Sequence, residues 1–463
     1  MKSTNKSCIV VGGGISGLCT AYWLTQENYD VTVLERDAIP GGAMKTVHRD
    51  GYLIDIGPNS SLETTPLFND LFNALGIIDN RVYANEHSNK RYILRSGKLH
   101  AIPMSPGLFL KSKLWSTRGK LRILKEPFVG RANDEESIAQ FVERRLGREF
   151  LDYAINPFVA GVYAGNPEEL SVRSAFPKLY RLEEVYGGLI KGMVKGRKER
   201  KQRAEQSKQS AKMFSFKDGM GTFPHALAVA LGDRLIPNTT VISVEYENGK
   251  YKVTAETGDG QKDFTADHVI LSVPAYQAAR LLESFDASIN DTLNKIYYPP
   301  VTMVFFGYKA DAITHPLDGF GYLIPAIEKR KILGTIWSST IFPNRAPEGY
   351  AAFTTFVGGS RQPEMTENDE STLRDIVHDE IASILGITEK PEFYYIREWK
   401  RAIPQYKLGY NKTIEQIEQF EKIHSGLHLG SNYRGGISVG DCVMNARRIV
   451  DSIVYANQNG QAK

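Results

Sequence analysis

Three glycines near the start of the chain, Gly12, Gly14 and Gly17, have the spacing needed to bind a phosphate-bearing ligand. They follow an apolar run at residues 8–11, which predicts a buried strand, and precede a segment with the periodicity of a helix. In such a unit the first glycine permits the tight turn, the second lets a pyrophosphate approach the backbone, and the third lets the helix pack on the strand. The spacing therefore predicts a dinucleotide at the amino terminus of the helix.

A carboxylate at the end of the next apolar strand completes this unit. Residues 31–34 predict a second buried strand, and Glu35 follows it directly. An acid at this place accepts hydrogen bonds from the adenosine ribose, which disfavours a 2′-phosphate and therefore NADP. The cofactor contacts predicted in this first segment are Gly12, Gly13, Gly14, Ile15, Ser16, Gly17, Glu35 and Arg36.

A second glycine pair, Gly41 and Gly42, follows the acid, and the sequence Asp55-Ile56-Gly57-Pro58 comes soon after. With the first motif, these segments resemble the extended fingerprint of the amine oxidase and phytoene desaturase superfamily of flavoproteins. The resemblance implies FAD rather than NAD, with the glycine pair beside the diphosphate and the later turn near the flavin ring. An ordinary turn without a ligand is the competing interpretation of Gly57 and Pro58. The resemblance implies cofactor contacts at Gly41, Gly42, Ala43, Gly57, Pro58, Asn59 and Ser60.

A cofactor site of this kind also needs segments from distant parts of the sequence. Residues 236–244, a turn at Asn248 and Gly249, and residues 251–254 predict a hairpin, and residues 267–275 predict another strand. Near the end of the chain a glycine-rich turn precedes an amphipathic helix. By the same resemblance, the positive amino terminus of this helix faces the flavin, whereas a loop without a ligand is the alternative. The resemblance also implies cofactor contacts at Val241, Trp399, Ile437, Ser438, Val439, Gly440 and Asp441.

The middle of the chain carries a more specific resemblance. The sequence INPFVAGVYAGNPEELS, within residues 130–192, and the later GSNYRGGISVGDCV resemble the signature of the oxygen-dependent protoporphyrinogen and coproporphyrinogen oxidases. By that resemblance, a meso carbon of a porphyrinogen gives up hydride to FAD, and oxygen reoxidises the flavin with release of peroxide. It implies positioning roles for Asn59, on the substrate side of the flavin, and for the backbone carbonyl of Gly161.

Apolar and aromatic side chains are the expected walls of a site for a flat macrocycle. Substrate contacts are predicted at Phe158, Leu323 and Phe342, with Val159 and Tyr163 as further candidates, although core packing alone also accounts for each of them. The sequence shows no clear Ser-His-Asp, Cys-His or paired-carboxylate pattern. This fits chemistry that the cofactor supplies.

The anchor for the substrate carboxylates is left open by the sequence. Several relatives carry an arginine directly after the Leu-Gly pair that follows the Gly-Pro turn, whereas here Gly76 is followed by Ile77, and Arg81 comes later. The substrate therefore has either two propionates or four. Two other functions also remain open: another enzyme of the superfamily, such as an amine oxidase or a carotenoid desaturase, and a non-catalytic flavin-bound scaffold.

The motifs predict an α/β fold with a Rossmann-like FAD-binding domain. The resemblance implies that this domain is of the amine oxidase type and is interleaved with an α+β substrate domain and a helical, membrane-associating insertion. Asn133 and Glu136 have the spacing of a capping box at the start of a helix in this insertion. The predicted domains are FAD binding at residues 1–90, 212–290 and 425–463, the helical insertion at 91–211, and substrate binding at 291–424.

Composition and charge favour an enzyme-sized globular protein. Among 463 residues, 57 are basic and 53 acidic, and a formal net charge of +4 gives no reason to expect nucleic-acid binding. The three cysteines lack metal-ligand spacing and predict neither a metal site nor a disulfide framework. No apolar run is long enough to span a bilayer. The basic run at residues 191–212 predicts a solvated loop or frayed helix, with a contact to anionic lipid as the alternative.

The resemblance to the porphyrinogen oxidases implies the expected partners and location. The small-molecule partners are a porphyrinogen and O2, and no nucleic-acid partner is expected. A ferrochelatase-type pathway partner and a homodimer are further expectations. The expected location is cytoplasmic, with peripheral contact on the inner face of the membrane.

Overall fold

A five-stranded parallel sheet forms the base of the fold. The computed structural model describes residues 6–88, 90–202 and 211–460. The first strand lies at the centre of this sheet and pairs with the second strand on one side and with the strand His268–Leu271 on the other. These pairings confirm the strands predicted at residues 8–11, 31–34 and 267–275. The strands, in spatial order, are Leu235–Ile236, Asp30–Leu34, Ser7–Val11, His268–Leu271 and Leu427–Leu429.

Different layers bury the two faces of the parallel sheet, as its continuous apolar strands require. Cys8 and Val10 belong to a core shared with the helices Ile15–Gln26, Thr222–Leu231 and Val439–Gly460. Ile9 and Val11, which alternate with them along the first strand, belong to a second core shared with a three-stranded antiparallel sheet. The predicted apolar face of the last helix is confirmed, because its members are buried: Val439, Val443, Ala446, Ile449, Val450 and Ile453.

The three-stranded sheet contains the predicted hairpin. Asn248 and Gly249 form its turn with φ of +52° and +79°, the left-handed conformation that a two-residue hairpin turn favours. The first strand begins at Thr240 rather than at residue 236, because residues 235 and 236 pair with the parallel sheet instead. The strands are Thr240–Glu247, Lys250–Thr257 and Gly260–Ala266.

A seven-stranded, largely antiparallel sheet forms the second half of the molecule. One of its faces packs on the helix Glu370–Leu385. On its opposite face Leu323 meets Gly161 of the helix Asn156–Tyr163, so that this face looks toward the parallel-sheet half. The strands, in spatial order, are Phe393–Trp399, Val301–Lys309, Tyr350–Gly358, Gly334–Ile336, Gly319–Leu323, Lys90–Arg95 and Lys98–Ala101.

The two strands within residues 90–101 correct the predicted domain division. They were assigned to the end of the FAD-binding part and to the helical insertion, but they extend the seven-stranded sheet. The strand Lys90–Arg95 pairs in parallel with Gly319–Leu323, a partner more than two hundred residues away. Ser96 and Gly97, with φ of +52° and +72°, then turn the chain into the next strand. The division into three parts otherwise stays a prediction.

Residues 106–202 are mainly helical. The predicted capping box at Asn133 and Glu136 is wrong, because the Glu136 carboxylate pairs with Arg144 and the helix instead begins after Ser137. Ser137 and Gln140 form the capping box that starts it. The helices are Pro106–Lys111, Thr117–Ile123, Ile138–Leu146, Arg148–Phe150, Asn156–Tyr163, Val172–Ala175, Pro177–Tyr186 and Leu189–Gln202, with a π-helical turn at Leu151–Ile155.

A fully buried ion pair holds these helices together. Arg145 contacts Glu126 at 2.8 Å and also pairs with Glu183, and both Arg145 and Glu126 are shielded from solvent. The Glu126 carboxylate also accepts the backbone N–H groups of Leu189 and Ile190 at 2.7 and 3.0 Å, which fixes the start of the helix that carries the basic run. The basic run is thus helical as far as Gln202, and residues 203–210 lie outside the described residues.

Smaller elements complete the chain. Within the described ranges, no helix combines the length and the apolar character that crossing a bilayer needs. The remaining strands are Thr46–Arg49, Tyr52–Asp55, Ser61–Leu62, Arg81–Tyr83 and Met213–Phe216. The remaining α-helices are Leu67–Ala74, Ala275–Leu281, Ala287–Asn294, Ser338–Ile341 and Tyr410–Ile423, and short 3-10 turns lie at Ile78–Asn80, Glu86–Ser88, Glu126–Phe128, Gly232–Arg234, Ala310–Ala312, Ala326–Glu328 and Pro363–Glu367.

Candidate functional site

The turn between the first strand and the first helix is too tight for side chains at two of its glycines. Gly12 has a φ of +105°, and a Cβ there would lie 2.7 Å from the carbonyl oxygen of Ser272. A Cβ on Gly17 would overlap the carbonyl oxygen of Gly12. Both positions therefore need glycine for the fold itself, as the motif predicts.

Gly14 differs from these two glycines, because no atom lies within 4 Å of a Cβ built on it. Gly41 forms a parallel bridge with Gly14 and donates its N–H to the carbonyl of Gly13 at 2.7 Å. A Cβ on Gly42 would lie 3.2 Å from the Cα of Gly14. Two glycine turns thus lie side by side at the amino terminus of a helix whose first N–H groups lack intrahelical partners, an arrangement that can hold a diphosphate.

Glu35 lies beside this bare backbone surface and is 8% exposed. One of its carboxylate oxygens accepts the N–H of Gly13 at 2.5 Å, and the other accepts the N–H of Asp37 at 2.8 Å. These bonds fix the carboxylate while leaving acceptor capacity for ribose hydroxyls. Arg36 is exposed and pairs with Asp37 at 3.4 Å. The N–H of Thr239 donates to the carbonyl of Glu35 at 2.8 Å, which brings the neighbouring Val241 strand to the same end of the site.

The turn at residues 55–60 packs directly on the second glycine pair. A Cβ on Gly57 would overlap the carbonyl oxygen of Ala43, so that glycine is required at this contact. Trp399, at the end of an outer strand of the seven-stranded sheet, donates its indole N–H to the carbonyl of Ile56 at 3.0 Å. The Asn59 amide nitrogen donates to the carbonyl of Gly57 at 3.0 Å. The structure therefore brings together segments predicted to surround the flavin.

The last helix begins close to the first one. Ser438 and Asp441 cap its amino terminus, since the Ser438 hydroxyl donates to Asp441 Oδ2 at 2.6 Å and accepts the Asp441 N–H at 3.2 Å. Ser16, near the start of the first helix, lies beside Cys442, near the start of the last, and the two helices share one core. Two positive helix ends therefore lie near each other, where they favour an anionic ligand. The predicted contacts Ile437, Ser438, Val439, Gly440 and Asp441 lie in this segment.

Two unpartnered buried oxygens support a polar ligand at these helix ends. The Cβ of Ser272 lies beside Gly17, and Thr64 Oγ1 lies beside Gly440, so the two oxygens are Ser272 Oγ and Thr64 Oγ1. Neither has a hydrogen-bond partner within the described part of the chain. Buried polar groups in folded proteins are nearly always paired, and a bound dinucleotide offers phosphate and ribose groups as partners. The residues present therefore fit a flavin dinucleotide, although each individual cofactor contact stays a prediction.

A narrow cavity begins at the turn that carries Asn59. It brings Asn59 together with the predicted substrate residue Phe342, on the inward face of the seven-stranded sheet. Half of its lining residues are apolar, and the polar half includes the ion pair of Asp55 and Arg345. The residues that line it are Leu53, Asp55, Asn59, Ser60, Phe305, Phe320, Ile336, Ser338, Ile341, Phe342, Arg345 and Thr354.

The helix Asn156–Tyr163 lies against the same inward face of the seven-stranded sheet, near Leu323. Phe158 and Gly161 lie on its exposed side, and a Cβ on Gly161 would lie 2.5 Å from Leu323 Cδ2. Leu323 and Ile336 lie on the same sheet face by the pairing of their strands. The other two candidates, Val159 and Tyr163, are buried in the core, which favours the alternative of core packing for both, and Tyr163 donates its hydroxyl to the carbonyl of Ala175.

The arginine that sequence reasoning missed is Arg91. It lies on the inward face of the strand Lys90–Arg95, opposite Gly321, with its guanidinium 5.7 Å from the ring centroid of Phe320. It has no carboxylate partner among residues 6–88, 90–202 and 211–460. Its side chain is exposed, and partial desolvation lowers the pKa of Arg91. By contrast, Arg81 is already paired with Glu63 at 3.1 Å.

Gly14→Ala tests the bare backbone surface. The protein has room for the added methyl group, but the methyl occupies the space expected for the diphosphate, so we expect a folded protein whose flavin affinity falls at least ~tenfold. Gly107→Ala is the matched control, because no atom lies within 4 Å of a Cβ at that position either. The measurement is the visible flavin absorbance per protein after dialysis. A full complement of flavin in the Gly14→Ala protein would contradict this site.

Comparisons with known proteins agree with this geometry. The family model described as flavin containing amine oxidoreductase matches residues 15–454. The chloroplastic protoporphyrinogen oxidase of Oryza sativa subsp. japonica is 35% identical, over 95% of this chain and 86% of that protein. The coproporphyrinogen III oxidase of Bacillus subtilis (strain 168) is 25% identical, over 98% of this chain and 99% of that protein.

A solved structure supports the fold independently. The crystal structure of a redesigned putrescine oxidase superimposes with a TM-score of 0.71 at 19% identity, over 98% of this chain and 99% of that one. This likeness confirms the predicted α/β fold. The chain therefore belongs to the flavin containing amine oxidoreductase family, and within it to the group of the protoporphyrinogen oxidases.

Proposed function

We propose that this protein is an FAD-dependent porphyrinogen oxidase that uses dioxygen as its electron acceptor. The observation that carries the proposal is the apolar inward face of the seven-stranded sheet, which runs from the turn beside the glycine surface to an unpaired arginine. Such a face suits a flat, largely apolar ring with carboxylates at its edge. The relatives favour protoporphyrinogen as substrate, since the rice protoporphyrinogen oxidase is 35% identical and the Bacillus coproporphyrinogen III oxidase 25%.

The protein's own residues mainly position the substrate and exclude water. FAD, when bound, supplies the oxidising chemistry by accepting a hydride from a meso carbon, and dioxygen takes up the electrons to give hydrogen peroxide. Phe342, Leu323 and Phe158 form the apolar walls. Gly161 lies in the last turn of its helix, where carbonyls lack intrahelical N–H donors, so its oxygen can accept a hydrogen bond from a pyrrole N–H. A preorganised dry site of this kind lowers the barrier by orientation.

Arg91 is the proposed anchor for a substrate carboxylate. It lies at the edge of the inward face beside Phe320, and its charge is unpaired within the described residues. A guanidinium binds a carboxylate through two parallel hydrogen bonds, which fixes orientation as well as charge. A ring held at its edge by Arg91 has its face against the apolar wall.

An amphipathic surface on the helical part favours a peripheral membrane contact. Residues 102–125 contain basic but no acidic side chains. Lys120 ties two of these segments together by donating to the carbonyls of Leu110 and Ser112 at 2.8 and 2.6 Å. Basic residues near an anionic membrane contribute about 1 kcal/mol each. We propose that this surface contacts anionic lipid through its most exposed apolar side chains, Met104, Leu108, Leu110, Leu121, Leu124 and Phe128.

Anaerobic mixing with substrate tests the proposed activity. We expect protoporphyrinogen to bleach the visible band of the bound flavin, and air to restore the band with formation of fluorescent porphyrin and peroxide. Coproporphyrinogen, measured alongside, decides between the two substrates. Putrescine and phytoene are the controls for the other activities of the superfamily and should leave the flavin oxidised. Failure of both porphyrinogens to bleach an FAD-loaded protein would contradict the proposal and favour a scaffold.

Arg91→Gln tests the carboxylate anchor. Loss of a charge-assisted pair should raise the porphyrinogen concentration at half-maximal flavin reduction about tenfold, with flavin content unchanged. Lys98→Gln is the control, because Lys98 is an exposed cation on the other strand of the same hairpin. Equal half-saturation in the Arg91→Gln and wild-type proteins would exclude Arg91 as the anchor.

The double change Leu124→Ser and Phe128→Ser tests the lipid surface. We expect the wild-type protein to sediment with vesicles that contain phosphatidylserine, and the variant to bind them at least ~fivefold more weakly, because less apolar area is buried. Ile423→Ser removes an exposed apolar side chain elsewhere and should bind like wild type. Two results would contradict the assignment. One is a double variant that binds these vesicles as tightly as the wild-type protein does; the other is a wild-type protein that binds vesicles of phosphatidylcholine alone as tightly as vesicles with phosphatidylserine.

A further inference from the structure

Arg345 is a buried arginine at the narrow cavity, with 3% of its surface exposed. Its Nη2 donates to Ser215 Oγ at 2.8 Å and to the carbonyl of Phe216 at 3.2 Å, and its Nη1 donates to the carbonyl of Pro343 at 3.0 Å. The guanidinium carbon lies 5.4 Å from the ring centroid of Phe342. One cation therefore joins the loop that carries a predicted substrate residue to a strand of the parallel-sheet half.

The counter-charge of Arg345 is Asp55, which begins the turn at residues 55–60. Arg345 Nη2 lies 3.6 Å from Asp55 Oδ2, and both side chains are 3% exposed. The other Asp55 oxygen accepts the Thr46 hydroxyl at 2.7 Å and the Met220 N–H at 2.8 Å. Desolvation raises the pKa of Asp55 and lowers the pKa of Arg345, and each charge partly offsets the burial of the other.

The seven-stranded half thus contacts this turn at two successive residues. Arg345, in the loop between the strands Gly334–Ile336 and Tyr350–Gly358, contacts the side chain of Asp55. Trp399, from the strand Phe393–Trp399, contacts the backbone of Ile56. The first contact is a desolvated charge pair, whose geometry is constrained more strongly than that of apolar packing.

We propose that Arg345 is a positioning residue that sets the distance between the substrate and the flavin. Through Asp55 it fixes the Asn59 turn relative to the inward face of the seven-stranded sheet, which holds the substrate. Arg345 acts through Asp55 and forms no part of the predicted carboxylate anchor. The inference rests on the proposed function, because it presupposes that flavin and porphyrinogen meet across this turn.

Positioning of this kind affects the rate of flavin reduction more than substrate affinity. A displacement of about 1 Å in the reacting geometry costs roughly a hundredfold in rate. Phe342 lies next to Arg345, whereas the other proposed walls, Leu323 and Phe158, and the edge arginine Arg91 lie elsewhere. A loss of Arg345 should therefore lower the limiting rate while leaving half-saturation nearly constant.

The test compares Arg345→Gln, Arg345→Lys and Asp55→Asn with the control Arg330→Gln. Arg330 also forms an ion pair, with Glu380 at 3.1 Å, but on the helix that covers the opposite face of the sheet. Anaerobic stopped-flow mixing with protoporphyrinogen gives the limiting rate of flavin bleaching and the half-saturating concentration. Visible circular dichroism of the resting flavin reports the asymmetric surroundings of its ring without any substrate.

We expect Arg345→Gln to retain flavin, to change the visible circular dichroism, and to lower the limiting rate at least ~tenfold with half-saturation within ~threefold of wild type. Arg345→Lys should recover part of the rate, and Arg330→Gln should match wild type. A wild-type limiting rate in Arg345→Gln, or a change confined to half-saturation, would overturn the proposal. Where Arg345→Gln does not fold, wild-type rates in both Arg345→Lys and Asp55→Asn would overturn it equally.

Failure of the proposed function has a different signature. In that case no porphyrinogen bleaches the wild-type flavin, and the circular dichroism alone decides the positioning role. Spectra of Arg345→Lys and Asp55→Asn that are identical to wild type would then contradict it. Altered spectra in these two variants, with an unaltered Arg330→Gln control, would support it.

Discussion

The contact of bare backbone with bare backbone is the constraint on which the rest of the structure depends. Gly17 leaves no room for a side chain against Gly12, and Gly57 leaves none against Ala43, while Gly42 lies close to Gly14. These contacts bring the first helix, the second glycine turn and the turn at residues 55–60 closer together than any side chain would allow. The same close packing positions the open surface at Gly14. It also positions the turn at residues 55–60, where the narrow cavity begins.

The parts of the fold that the sequence predicts are those set by local spacing. The strands at residues 8–11 and 31–34, the hairpin turn at Asn248 and Gly249, and the apolar face of the last helix all follow from periodicity or from a backbone conformation that few residues adopt. The glycines of the first motif are predictable for the same reason, because their role is to bear no side chain.

The parts that the sequence does not predict depend on which distant segments pair. Arg91 lies beside Phe320 only because its strand pairs with residues 319–323, and Arg345 lies near Asp55 only because its loop packs on the turn at residues 55–60. A single arginine carries no local sign of such partners. The helix start at Ser137 shows the same limit on a small scale, since two successive capping patterns, at residues 133–136 and 137–140, compete, and Glu136 of the first pairs with Arg144.

The central claim is that the diphosphate of a flavin dinucleotide lies on the backbone of Gly14, with its ring between the Asn59 turn and the inward face of the seven-stranded sheet. The most direct measurement is a crystal structure of the flavin-loaded protein. The account predicts diphosphate density against Gly14 and Gly42, ribose hydroxyls on Glu35, and the ring beside Ile56 and Asn59. A diphosphate bound elsewhere, with the Gly14 surface occupied only by water, would contradict it.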